Sequence, residues 1–192
     1  MGIFFGALTI TAVAALVATI VIFNGFVRLA NACDRAWSNI DVLLRQRYDE
    51  IPNLVALCRG YMEYERDVLA RVTEARGNGL AALARESVVA DRAALLAAAA
   101  VGEIFALAEA YPTLKANEQF MQLQRRITGL ESEIADRREH FNQCVTNYNV
   151  RREQIPDVVV ARLLGLPRRT LLRVPAAERE LPRVLAESAL SR

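Results

Sequence analysis

No charged residue precedes Arg28, and Ile3–Phe23 form an unbroken, mainly apolar run of 21 residues. As a helix rising 1.5 Å per residue this run is about 32 Å long, which matches a hydrocarbon core of roughly 30 Å. The pattern predicts a transmembrane helix. Thr9, Thr11 and Thr19 are expected to return their hydroxyls to the backbone one turn earlier, so they cost little in lipid. A cleaved signal peptide is the rival reading, since Ala30-Asn31-Ala32 before Cys33 has the look of a cleavage site. Against it, the run is long for a signal sequence and has no positively charged leader.

Behind Arg28 the hydrophobic period becomes helical. Cys33, Trp37, Ile40 and Leu44 form one stripe, so the membrane helix is expected to continue as a stalk to about Asp49. Pro52 is expected to end or kink it. A second helix is predicted over Asn53–Ala75, a loop at Gly77-Asn78-Gly79, and an alanine-rich third helix over Glu86–Ala110 closed by Tyr111-Pro112. In the fourth segment Phe120, Ile127, Ile134, Phe141 and Tyr148 recur every seven residues, with Leu123, Leu130, Arg137 and Cys144 as the companion series. Such a heptad stripe predicts packing in a left-handed bundle. Arg137 interrupts the seam. Either it snorkels to the bundle edge, the preferred reading, or it pairs with an acidic residue of another helix and fixes register. The fold class expected is all-α: a transmembrane helix continuing into an elongated antiparallel bundle of about four helices. The divisions are 1–27 (anchor), 28–156 (bundle) and 157–192 (a basic, irregular tail).

Charge refines this picture. The net charge is +2, too small for a strongly basic nucleic-acid binder, and no nucleic-acid partner is expected. Residues 28–150 carry 15 basic and 17 acidic residues, whereas 151–192 carry 9 and 5, so the positive balance lies in the tail. Arg28, Arg35, Arg45 and Arg47 follow the span, and the positive-inside rule then puts the short N-terminus outside and the bundle in the cytoplasm.

Candidate chemistry is sparse. Phosphate-binding glycine loops, HExxH and CxxC are missing from the sequence. The lone His140 and Cys144 stand four apart on one helical face, and Cys33 or Cys58 would have to join them for a metal site; a buried cysteine acting as a small hydrophobe is the preferred reading. No catalytic residue, cofactor, metal or small-molecule substrate is assigned. Two groups of residues stand out. Asp41, Arg45, Arg47, Tyr48, Asp49 and Asn53 surround the turn expected at Pro52, where they would cap helix ends or form a recognition surface at the tip furthest from the bilayer. Arg162, Arg168, Arg169 and Arg173 lie among the apolar residues of the tail, as candidate contacts with an anionic membrane surface.

Several motifs resemble the LemA family of bacterial membrane proteins. They are Trp37 with Ser38-Asn39-Ile40-Asp41-Val42, and Arg47-Tyr48-Asp49-Glu50-Ile51-Pro52-Asn53-Leu54-Val55. Further along come Gly60-Tyr61 with Glu65, Ala110-Tyr111-Pro112 with Leu114-Lys115-Ala116-Asn117, Phe120, Leu123-Gln124, then Asn142, Val145, Tyr148 and Asn149, Ile155-Pro156 and Pro182-Arg183-Val184-Leu185. The resemblance implies one N-terminal membrane helix, an elongated helical domain and no established catalytic activity. The function expected is that of a non-enzymatic, membrane-anchored bundle acting on an unknown protein partner or on copies of itself. The alternatives are a regulatory adaptor of a membrane signalling or protease system and, behind it, a thiol-based enzyme or redox sensor using Cys58 or Cys144.

Overall fold

The structure, a computed structural model, describes residues 2–172 apart from Glu63 and Glu86. These residues form six helices: α1 (Gly2–Arg59), α2 (Arg66–Leu83), α3 (Ser87–Ala108), α4 (Pro112–Lys115), α5 (Glu118–Glu153) and α6 (Asp157–Leu163). At its apolar start α1 makes no protein contacts: Phe4 is 84% exposed, and Leu16 and Val17 also face outward. Thr9, Thr11 and Thr19 donate to the carbonyls of Gly6, Ala7 and Ala15 at 2.8–2.9 Å, as expected of hydroxyls in lipid. Burial begins at Ile22 and Phe26.

The stalk does not end near Asp49. α1 continues through Pro52 to Arg59, an unbroken 58 residues or about 87 Å. A proline within a helix leaves the carbonyl four residues earlier without its usual donor. Here that carbonyl belongs to Tyr48, and the Arg76 side chain of α2 fills the gap, Nε donating to it at 2.8 Å. The expected Asn53–Ala75 helix is therefore divided. Its first part belongs to α1, the chain turns over residues 60–65, and α2 begins at Arg66. Nor is Gly77-Asn78-Gly79 a loop. It lies inside α2, where a Cβ on Gly79 would collide with the ring and hydroxyl of Tyr48. The glycine serves close helix–helix approach.

α1 and α5 form a long antiparallel pair. Glu50 lies opposite Arg126 (2.8 Å), Trp37 meets Phe141 edge-on (ring centroids 6.0 Å apart), and Phe26 meets Tyr148 in the same way (5.8 Å). α5 starts from a sound cap: the Asn117 carboxamide oxygen accepts from the backbone N–H groups of Gln119 (2.9 Å) and Phe120 (3.1 Å). Its heptad residues Phe120, Ile127, Ile134, Phe141 and Tyr148 are all buried, and Arg137 points outward. The half of this pair far from the anchor is covered by the α2–α3 hairpin. The near half is covered by α6 and by an extended strap running to Leu172, which occupy the described part of the expected irregular tail.

Candidate functional site

On α1 the buried positions Ile40, Leu44, Arg47, Ile51, Leu54 and Cys58 alternate steps of four and three. Arg47 therefore occupies a core position of the heptad and is only 1% exposed. Its guanidinium donates to the Ala94 carbonyl of α3 at 2.7 Å and lies over the Tyr48 ring. Tyr48 is fully buried beside it. One level along, Arg138 of α5 grips Asp91 of α3 at 2.6 Å, with both side chains largely enclosed. The register-fixing ion pair weighed for Arg137 is thus made by its neighbour. The ideal seven-residue count drifts against 3.6 residues per turn, and Arg138 is the one turned inward.

These groups tie α1, α3 and α5 together at two adjoining levels. Burial pushes the Asp91 carboxyl above its ordinary range, against the pull of Arg138. Burial likewise raises Glu131 and the Tyr48 hydroxyl, and it lowers Arg47. Arg47 Nε, Tyr48 Oη and one terminal nitrogen of Arg138 find no partner among the described residues. The cluster ties helices together as a buried lock, with Arg47 held by the Ala94 carbonyl and Arg138 by the Asp91 carboxylate.

The six residues expected around a turn are therefore not together at the tip. All lie within α1, part-way along the bundle. Arg47 and Tyr48 point into the core and are unavailable as surface. Asp41 and Arg45 form an exposed i,i+4 pair at 2.9 Å, and Asp49 faces solvent. Asn53 lines a shallow groove of about 320 Å³ between α1 and α5, together with Glu50 and Arg126. The tip is built instead from the residue 60–65 turn and the α4 region, joined where the Asn117 amide donates to the Tyr61 hydroxyl at 3.3 Å.

At the near end the four tail arginines separate. Arg169 reaches α1, donating to Asp34 at 2.5 Å and lying over the Tyr148 ring. Asp34 is eleven residues beyond Phe23, or about 16 Å along the helix, while a headgroup layer adds only about 5–8 Å per leaflet. Arg168 is exposed and 3.7 Å from Glu153, and Arg162 is exposed on α6. Arg173 lies outside the described residues. The strap bearing Arg168 and Arg169 is held by two asparagines. Asn149 donates to the Arg169 carbonyl (2.8 Å) and accepts from its N–H (3.0 Å), and Asn142 does the same for Leu172 (3.1 and 2.8 Å). Seven residues along a helix rise about 10.5 Å and three along an extended chain about 10 Å, so the two clamps stay in register. Sequence reasoning missed this pairing, although the seven-residue spacing of the two asparagines was its signal.

The thiols divide in the same way. Cys58 is fully buried and pushed up to about 11 by burial. Cys33 is raised too, with Arg169 opposing. Cys144 Sγ sits 3.8 Å from His140 Nε2 on the α5 surface. Among the described residues no three His, Cys, Asp or Glu side chains gather as metal ligands.

Comparison with known proteins finds relatives over most of the chain. The chain is 24% identical to magnetosome protein MamQ 2 and to MamQ 1 of Paramagnetospirillum magneticum over 186 aligned residues, covering 84% of this chain and 68% of theirs. It is 23% identical to magnetosome protein MamQ of Magnetospirillum gryphiswaldense, covering 84% and 69%. The LemA family profile matches residues 36–185, from the stalk past the strap. With its apolar helix standing free of the bundle, this single-pass membrane protein belongs to the LemA family.

Proposed function

We propose that the protein is a membrane-tethered helical column that works through protein–protein contacts, with a separate partner or with copies of itself, and not by catalysing a reaction. The observation that carries this reading is α1, one continuous helix from the anchor to Arg59. With no linker between them, anchor and bundle move as one body, which suits a part that presents a surface at fixed height above a bilayer. The buried charges support the same reading, because Arg47, Asp91 and Arg138 are spent on holding helices together. The arginines that follow the span favour a cytoplasmic bundle. The relatives' names tie them to the magnetosome, and that setting is theirs.

The test is photo-crosslinking in native membranes, with a photoreactive amino acid substituted in turn at Tyr64 (93% exposed), Leu96 (65%) and Met121 (39%). A discrete adduct from at least one position is the expected result. A ladder at multiples of the chain mass identifies self-association, and a single adduct of another mass identifies a partner, as an adaptor requires. Monomer alone at every position would overturn the reading.

A further inference from the structure

The near end of the bundle carries an exposed apolar stripe. Ile155 is 88% exposed, Val159 65% and Leu163 79%. Val159 and Leu163 share one face of α6, and Ile155 precedes them at the same four-residue interval. The opposite face, Val160 and Ala161, is buried against the bundle. Side chains this exposed on a seven-residue helix invite the question of what covers them, and the height of α6 answers it. Phe26 lies opposite Tyr148, and the Arg151 guanidinium lies against Gly25. Continuing the antiparallel count brings Glu153, the last residue of α5, level with Val21 to Phe23, where the lipid-facing run of α1 ends. α6 follows within four residues and packs on α1.

The chain then turns back. Gly165, at φ +60°, closes α6 in a Schellman motif: the Leu166 N–H donates to the Ala161 carbonyl at 2.9 Å and the Gly165 N–H to that of Arg162 at 3.2 Å. From there the strap leads away from the anchor. α6 is thus the turning point of the chain at the edge of the bilayer.

We infer that α6 is a second membrane contact: Ile155, Val159 and Leu163 lie in the lipid interface beside the anchor, and Arg162 reaches the phosphate layer. An amphipathic helix held in the interface plane needs such an apolar stripe with a basic residue next to it. The alternative occupant, a second copy of the chain, would have to displace lipid at the height where α1 itself is lipid-covered. The inference rests on the run Ile3–Phe23 lying in the bilayer, and the experiment separates the two.

Leu163→Cys, Ala14→Cys and Tyr64→Cys are made singly in a Cys144→Ser full-length chain, in which the fully buried Cys33 and Cys58 stay unlabelled. Each is labelled with an environment-sensitive fluorophore and reconstituted in phosphatidylcholine–phosphatidylglycerol vesicles containing a spin-labelled quencher lipid. Quenching at position 163 is expected to exceed that at the tip position 64 several-fold and to persist as lipid is added in excess. Equal quenching at 163 and 64, with position 14 quenched, would overturn the inference and leave the anchor intact. Shielding at 163 that fades on dilution in lipid would also overturn it, in favour of a second copy. An unquenched position 14 would remove the anchor and the inference with it.

Discussion

The far and near halves of the α1–α5 pair solve one problem by different means. Two antiparallel helices leave a face uncovered, and each half covers it with a different kind of chain. In the far half a helical hairpin supplies side chains. Phe105 meets Phe120 edge-on at 6.1 Å, and α3 brings Asp91 to Arg138 inside the core. In the near half an extended strap supplies backbone, and α5 meets it with carboxamides at Asn142 and Asn149. A helix keeps its backbone groups to itself and can be packed by shape. A strap brings unpaired N–H and C=O groups, and these must be met where they are buried. The far half therefore stakes its stability on packing and one enclosed ion pair, and the near half on hydrogen bonds.

The largest effect is expected where charge is enclosed. Asp91→Ala leaves Arg138 in the core without its carboxylate, and breaking a buried pair from one side costs about 3–5 kcal/mol. Replacing both partners with apolar residues, as in Asp91→Leu with Arg138→Met, removes the stranded charge and is expected to recover most of that loss. Denaturant unfolding of the full chain in detergent measures both. If the double variant is no more stable than the single one, the pair is not acting as an isolated charge couple.

The near half should yield less. Asn149→Ala deletes two hydrogen bonds to Arg169, each worth about 0.5–1.5 kcal/mol net. The expected loss is about 1–3 kcal/mol, felt first as loosening of the strap. Trypsin cleavage at Arg168 and Arg169 should then accelerate while the α2–α3 hairpin stays protected. Uniform acceleration across the chain would show that the two halves unfold together.

Much of this division was legible in the sequence. The uncharged run and the heptads of α5 follow from local periodicity, and so does the steric role of Tyr111-Pro112 in closing α3; the spacing of Asn142 and Asn149 is equally local, but it gains its meaning only beside the strap. What misled was punctuation. Pro52 and Gly77-Asn78-Gly79 are strong breakers taken alone, but each is answered by a residue far away in the chain. Arg76 serves the carbonyl that Pro52 leaves bare, and Tyr48 occupies the space that Gly79 leaves open. Neither compensation has a local signature. A turn at Pro52 puts its polar neighbours at helix ends, as caps or as a recognition surface, whereas the four-and-three spacing from Ile40 to Cys58 marks Arg47 as core.

The smallest effect sharpens the comparison through pH. Cys58 of the far half is raised by burial alone, from 9.0 to about 11. In Cys33 of the near half, Arg169 works against the rise. A raised folded-state value means that the fold favours the protonated thiol. The contribution is fully present below pH 9, falls away as the unfolded thiol ionises first, and is gone once pH passes about 11. At pH 10 the Cys58 loss is about 1.4 kcal/mol, one tenfold step in proton affinity. The difference in stability between the wild-type chain and Cys58→Ala should therefore shrink by about that amount between pH 8 and pH 10, whereas the same comparison for Cys33→Ala should shrink less. Equal slopes for the two would mean that Arg169 does not offset the rise that burial produces at Cys33.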